Sequence, residues 1–238
     1  MSLGLIAAAS PETGPQSAPQ GAPRAGASTL AGGRGAELCW FGRATTKIRT
    51  ATGLVIYIDP FAPGDYSEPA DLVLVTHGHG DHNQVGLVPR KQGALLVAPP
   101  GAVDEKGART VKEGELVHAG GVEIRVLPAG NKNHKRGETV GYILSFDGIV
   151  VYHAGDTDYL PEMADWGRYG IAYALLPCDG FYNMGPAEAS RCALAMGAKR
   201  VIPIHSSKDG LVGEKNARAV TGAEVIVLAP GQKLALRP

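Results

Sequence analysis

The stretch Asp71-Leu72-Val73-Leu74-Val75-Thr76-His77-Gly78-His79-Gly80-Asp81-His82 constrains this chain more than any other. A short apolar run, the mark of a buried strand, stops in a loop that gathers three imidazoles and a carboxylate around two glycines. Imidazole nitrogen and carboxylate oxygen suit zinc, iron or manganese, and the glycines let the backbone turn tightly enough for several side chains to converge. The bland alternative is a polar loop with incidental histidines. A metal needs several convergent donors, so the remaining histidines decide between the two.

There are seven: His77, His79, His82, His118, His134, His153 and His205. All but His118 lie in loops directly after predicted strands, with Asp81 and Asp156 alongside. His134 stands in the polar loop Gly130 to Gly137, after the alternating strand Val122 to Leu127 and before the strand that resumes at Val140. The hairpin signalled by Asp147-Gly148 brings its second strand to His153-Ala154-Gly155-Asp156, and Val201-Ile202-Pro203-Ile204 ends in His205. His118 reads as a surface residue. His153 reads as a hydrogen-bonded residue at a strand end, with a role beside a metal ligand as the alternative. Five histidines and two aspartates remain, and the economical reading is two metals. Asp59, before Pro60 at the end of a predicted strand, is a turn former or a carboxylate that accepts the outer N–H of a metal-bound imidazole.

Elsewhere the chain reads as one sizeable domain. Residues 1–36 form a Pro/Gly/Ala-rich N-terminal tail with too few large apolar side chains to offset ordering entropy. Within it, residues 31–35 are Gly-rich but lack the Lys-Ser/Thr of a phosphate loop, and so are assigned to linker. Residues 37–238 open with three short β-rich runs at the spacing of an antiparallel meander and then alternate strands and helices. The pattern predicts two sheets covered by helices on their outer faces, with the polar residues collected along one edge. Lys plus Arg and Asp plus Glu balance at 23 each, so no net field favours nucleic acid or an anionic membrane. No apolar run reaches the roughly 18 residues of a transmembrane segment. The three cysteines, Cys39, Cys178 and Cys192, lie far apart and read as free buried thiols.

Thr76-His77-Gly78-His79-Gly80-Asp81-His82 resembles the H-x-H-x-D-H signature of the metallo-β-lactamase superfamily. Gly155-Asp156-Thr157 and Pro203-Ile204-His205 resemble its later metal motifs in the same order. Trp40-Phe41-Gly42, Ile58-Asp59-Pro60, the loop Asn131 to His134 and the run through Pro161-Glu162-Met163 are similar to its L-ascorbate-6-phosphate lactonase-like branch. The resemblance implies an α/β protein with a four-layer αβ/βα sandwich and two divalent metal ions, zinc first, with manganese or iron also fitting. By motif, His77, His79 and His134 would bind one ion, Asp81, His82 and His205 the other, and Asp156 would bridge them. Two departures bear on substrate choice: Arg43 stands where the family often has His, and Pro177-Cys178-Asp179-Gly180 replaces a more apolar loop.

The implied activity is metal-dependent hydrolysis of an ester, lactone or phosphoester by a metal-activated hydroxide, with Asp81 orienting the nucleophile or moving a proton. Lys132 and Tyr182, with Asn133, Lys135, Arg136 and Asn183, are candidate contacts to a small anionic substrate; ordinary loop polarity is their alternative. A phospholipid phosphodiesterase, a tRNA-processing-type nuclease and a metal-binding protein without catalysis are the competing functions. A small molecule is the expected partner, a homo-oligomer is an option, and no nucleic acid is expected. The cytoplasm is the expected compartment, with export if residues 3–9 are the clipped end of a signal peptide.

Overall fold

The computed structural model describes Met1 and residues 35–238. Most of the tail expected over residues 1–36, including residues 3–9, lies outside the described residues. At its end, Ala36 is already buried, and its carbonyl accepts the N–H of Leu236 at 2.8 Å.

Two seven-stranded sheets carry the fold. The first is built from β1 (Glu37–Gly42), β2 (Thr45–Arg49), β3 (Val55–Ile58), β4 (Ala70–Leu74), β5 (Arg90–Ala98), β6 (Arg109–Thr110) and the last strand, β14 (Lys233–Ala235), in the order β14-β1-β2-β3-β4-β5-β6. The second contains β7 (Leu116–Ala119), β8 (Val122–Pro128), β9 (Val140–Phe146), β10 (Ile149–His153), β11 (Tyr173–Pro177), β12 (Arg200–Ile204) and β13 (Glu224–Val225), in the order β13-β12-β11-β10-β9-β8-β7. The predicted meander is β1–β2–β3, antiparallel throughout. The predicted hairpin pairs Phe146 with Ile149, and Asp147 and Gly148 take φ of 50° and 72°, the left-handed pair that a two-residue turn requires.

Alternation along each strand separates an inner from an outer face. Leu38, Trp40, Ile48, Ile56, Ile58, Leu72 and Leu74 of the first sheet meet Ile124, Val126, Tyr142, Leu144, Val151, Leu175 and Ile202 of the second in one buried core. On the outer face of the second sheet lie α1 (Pro186–Ala195) and a 3-10 helix, Pro161–Tyr169, whose Met163 and Trp166 are buried one turn apart. Trp166 packs edge-on against Tyr152, ring centres 5.3 Å apart. A shorter helix, α2 (Glu214–Ala219), follows β12.

Helices were expected on the outer face of the first sheet as well. There the cover is loop: Ala62, Tyr66, Val85, Val88 and Ala102 pack on Phe41, Tyr57 and Val73, and the sole helical piece among the described residues of that half is the 3-10 turn Val85–Leu87. The segment after the histidine loop is too short, and carries Gly86 and Pro89, so it cannot sustain an α-helix. The sandwich is therefore thick on one side and thin on the other.

What positions the site is strand direction. β3 and β4 run parallel, as do β10, β11 and β12. Their C-terminal ends deliver Asp59, the Thr76–His82 loop, Asp156, Asp179 and His205 to one edge of the two facing sheets.

Candidate metal centre

The edge is locally strained. Four non-glycine residues have positive φ among those described, and three of them, Arg43 at 53°, Asp59 at 50° and His205 at 39°, belong to this edge; the fourth is the hairpin's Asp147. Such backbone persists only where its surroundings hold it, and it concentrates where side chains must be aimed. Gly155 serves the same end. At φ 61° it lies so close to Thr76 that a Cβ would sit 2.7 Å from the Thr76 Cβ. Gly155→Ala is expected to destabilise the metal-free chain by about 2 kcal/mol or more, read as a lower urea midpoint at unchanged slope.

The donors converge in overlapping groups: His77, His79 and His134; His77, His82 and Asp156; and Asp81, His82 and His205, the donor atoms of each lying within 4.8 Å of one another. His79 Nδ1 is 3.1 Å from both His77 Nε2 and His134 Nε2. Asp156 stands between a first set, His77, His79 and His134, and a second, His82 and His205, its Oδ2 3.4 Å from His134 Nε2 and from His205 Nε2, its Oδ1 3.4 Å from His82 Nε2. Asp81 is closest to the second set, 3.6 Å from His205 Nε2 and 3.9 Å from His82 Nε2.

Behind the donors, each buried ring is held by its other nitrogen. His82 Nδ1 lies 2.8 Å from Asp59 Oδ2, His77 Nδ1 3.1 Å from Thr76 Oγ1, and His134 Nδ1 2.8 Å from Asn131 Oδ1. His205 Nδ1 is 3.0 Å from Asp179 Oδ2, close enough for charge attraction but off the axis of a hydrogen bond. In the neutral ring, with Nδ1 carrying the proton, Nε2 of each of these four would present a lone pair inward. His82 Nε2 and Asp156 Oδ1 are buried and have no hydrogen-bond partner among the described residues. Orphaned buried donors and acceptors are costly, and a cation accepted by both resolves the cost. The donor set fits divalent metal.

Electrostatics divide the two sets. Burial, reinforced by the charge of His82, pushes the His77 imidazole down to about 3, and burial also depresses His134. Both are neutral donors near pH 7. Burial works against charge on His205 too, but Asp156, Asp179 and Asp81 outweigh it and lift this ring to about 9. His82 is raised for the same reason, by Asp156 and Asp59 against burial. Asp81 and Asp156 are held well below the usual carboxylate range, burial being overcome by the histidines and, at Asp81, by Arg43. A cation entering beside His205 would displace the proton that this ring holds.

Other expectations find their places. His153 is fully buried, its Nε2 2.9 Å from the Ala44 carbonyl and its Nδ1 accepting the Gly155 N–H at 3.3 Å, so both nitrogens are engaged as a structural residue's would be. His118 is exposed on β7. Lys132 is exposed and has no hydrogen bond or ion pair among the described residues. Arg136 is instead spent on Glu113 and Glu162. The Tyr182 ring lies 6.4 Å from that of His205, and its carbonyl accepts from Asn131 Nδ2 and Asn133 Nδ2 at 3.1 and 2.9 Å, tying its loop to the loop of His134. Arg43 and Asp179, read from sequence only as departures, are both in the centre. Asp179 follows β11 as Asp59 follows β3, a repetition that was available as a signal.

Two facing mixed sheets with a His/Asp cluster along one edge define the metallo-β-lactamase fold. Residues 37–205 match the beta-lactamase superfamily domain, and the chain belongs to that superfamily. It is 34% identical over 215 residues to a UPF0173 metal-dependent hydrolase of Thermococcus kodakarensis, covering 76% of this chain and 92% of that one. A UPF0173 metal-dependent hydrolase of Methanoregula boonei is 33% identical over 222 residues, covering 85% and 99%. Among solved structures, the metallo hydrolase Igni18 of Ignicoccus hospitalis superposes with a TM-score of 0.72 at 26% identity, covering 85% of this chain and 98% of that one.

Proposed function

We propose that the chain is a metal-dependent hydrolase acting on an ester, lactone or phosphoester of a small, anionic substrate at a two-cation centre. The carrying observation is Asp156, whose two oxygens lie 3.4 Å from imidazole nitrogens of both sets. In this reading His77, His79 and His134 would hold one ion, Asp81, His82 and His205 the other, and Asp156 would serve both. Zinc suits the donors, and manganese or iron suit them nearly as well. Bound there, such ions would supply hydroxide near neutral pH and electrophilic assistance to a carbonyl or phosphoryl group. Asp59, Asn131 and Asp179 orient the imidazoles. Asp81, kept ionised by its neighbours, serves better as a ligand that orients the nucleophile than as a proton donor.

Beside His77, His79 and His134 opens a cavity of about 610 Å³, lined further by Gly78, Pro100, Ala102, Asn133 and Thr139. No large apolar side chain lines it, which favours a compact polar substrate over the acyl chains of a phospholipid. Lys135, which lines the cavity beside Glu138, and Lys132 and Tyr182 on the neighbouring loops are the residues that would meet a negative group.

The test begins with protein purified without chelator. Its metal content is measured, and lactones, esters and phosphodiesters are assayed with and without chelator. Two ions per chain and a turnover abolished by chelator and restored by metal are expected. Full metal content with no turnover of any substrate points to a metal-binding protein without catalysis, and turnover that survives complete metal removal sinks the proposal.

A further inference from the structure

Arg43 sits in the turn between β1 and β2, directly after a bulge at Trp40/Gly42, with its backbone at φ 53°. A residue with a Cβ stays in that region only where contacts hold it. Its N–H donates to the Leu211 carbonyl at 2.9 Å, and its own carbonyl accepts the N–H of His205 at 2.9 Å. The turn of the first sheet is therefore stitched to a donor residue of the second.

The side chain repeats the connection. Arg43 Nε donates to Asp81 Oδ2 at 2.9 Å, while Nη1 donates to the Ser207 and Lys208 carbonyls at 2.8 and 3.2 Å. One guanidinium thus fastens Asp81 to the loop that follows His205. Asp81 and His205 are two of the three donors in one group, and none of these contacts reaches His77, His79 or His134. Oδ1 of Asp81, the oxygen that Arg43 does not take, is the one facing His82 Nε2. The carboxylate is shared: Oδ2 lies between the guanidinium and His205 Nε2, 3.6 Å from the ring, and Oδ1 is left to His82. A positive charge so near a cation site opposes cation binding, so geometry is what it offers in return. The planar fork of Arg reaches carboxylate and carbonyls together, whereas Lys is a point charge that cannot span them.

We propose that Arg43 is a positioning residue that fixes Asp81 and His205 as one unit, so that cation affinity at the Asp81/His82/His205 group depends on it and affinity at the His77/His79/His134 group does not. This rests on the two-cation reading above. Loss of a residue that orients metal ligands lowers affinity by about 10- to 100-fold, and that is the effect expected at one group alone.

The experiment strips wild-type, Arg43→Lys and Arg43→Gly chains of metal, titrates each with zinc against a chromophoric competitor, and melts each metal-free. Glycine adopts the φ of this position without strain, so Arg43→Gly guards against misfolding. The first equivalent should bind within about twofold of wild type in both variants, and the second about 10- to 100-fold more weakly, with ethylguanidinium added to Arg43→Gly restoring part of the loss. Wild-type affinity for both equivalents in the variants overturns the proposal. So does equal weakening of both together with a lowered metal-free melting temperature, because that is a purely structural role. A single equivalent in the wild type overturns the two-cation reading and this inference with it, whereas two equivalents in every chain at unchanged affinity overturns the inference alone.

Discussion

Asp156→Ala is expected to reduce turnover on the order of 10³-fold or more and to lower zinc content below two ions per chain. Among the described residues, no other side chain lies within 3.4 Å of nitrogens from both sets. In the two-cation reading its removal would deprive both sets of a ligand at once and take away the charge between them. The metal-free chain offers an independent readout. Asp156 is the largest of the attractions raising His205, which stands at about 9, so this ring should titrate at lower pH in the variant, and imidazole NMR measures the shift. Far-ultraviolet circular dichroism should not change, since the residue follows a strand and pairs in none. A variant that keeps two ions and wild-type turnover would remove Asp156 from the mechanism.

How much of this was legible beforehand depends on the kind of order involved. Donors that follow strands are visible because hydrophobic runs and polar loops alternate along the sequence, and His77, His79, His82, His134, Asp156 and His205 all arrive that way. The hairpin at Asp147-Gly148 was visible for a different reason, since only certain residues tolerate its backbone. What orients the donors was less visible. Asp59 is flanked by a recognisable strand end, but Asp179 and Arg43 are single polar residues whose partners stand far away in sequence, Arg43 to Asp81 across 38 residues and to the Ser207 carbonyl across 164. Charge in the His134 loop misled for the same reason: Arg136 looked available to a substrate and is paired with Glu113 and Glu162. The 3-10 helix Pro161–Tyr169 has no clear signal in the sequence, because its two buried residues are three apart within a polar, Pro-initiated segment too short to show a period.

Asp59→Asn is the second change expected to have a large effect, although Asp59 is aimed at no open coordination position. Its carboxylate is fully buried and accepts three times: Oδ1 from the Thr76 N–H at 2.8 Å, Oδ2 from the Thr76 hydroxyl at 2.7 Å and from His82 Nδ1 at 2.8 Å. An amide of the same shape has one acceptor and one donor end. With its oxygen toward His82, its NH₂ meets the Thr76 N–H, donor against donor. Turned over, its NH₂ meets His82 Nδ1, which drives the ring to the other tautomer and puts a proton on Nε2, the nitrogen that faces Asp156 and Asp81. The backbone is not the cause, because Asn tolerates the φ of 50° at this position as well as Asp does. One arrangement therefore costs stability, about 2 to 4 kcal/mol for a buried network left unpaired, and the other costs metal, about 10- to 100-fold in affinity at the group containing His82. Urea unfolding of the metal-free chain and zinc titration read the two separately. Loss should appear in one or both, and a loss of metal-free stability distinguishes this residue from Arg43, whose Gly variant should leave that stability nearly intact. An Asn chain as stable as wild type that also binds both zinc equivalents with wild-type affinity would show that the Asp59–His82 contact does not set the tautomer, and the assignment of Nε2 as the inward donor of His82 would have to be abandoned.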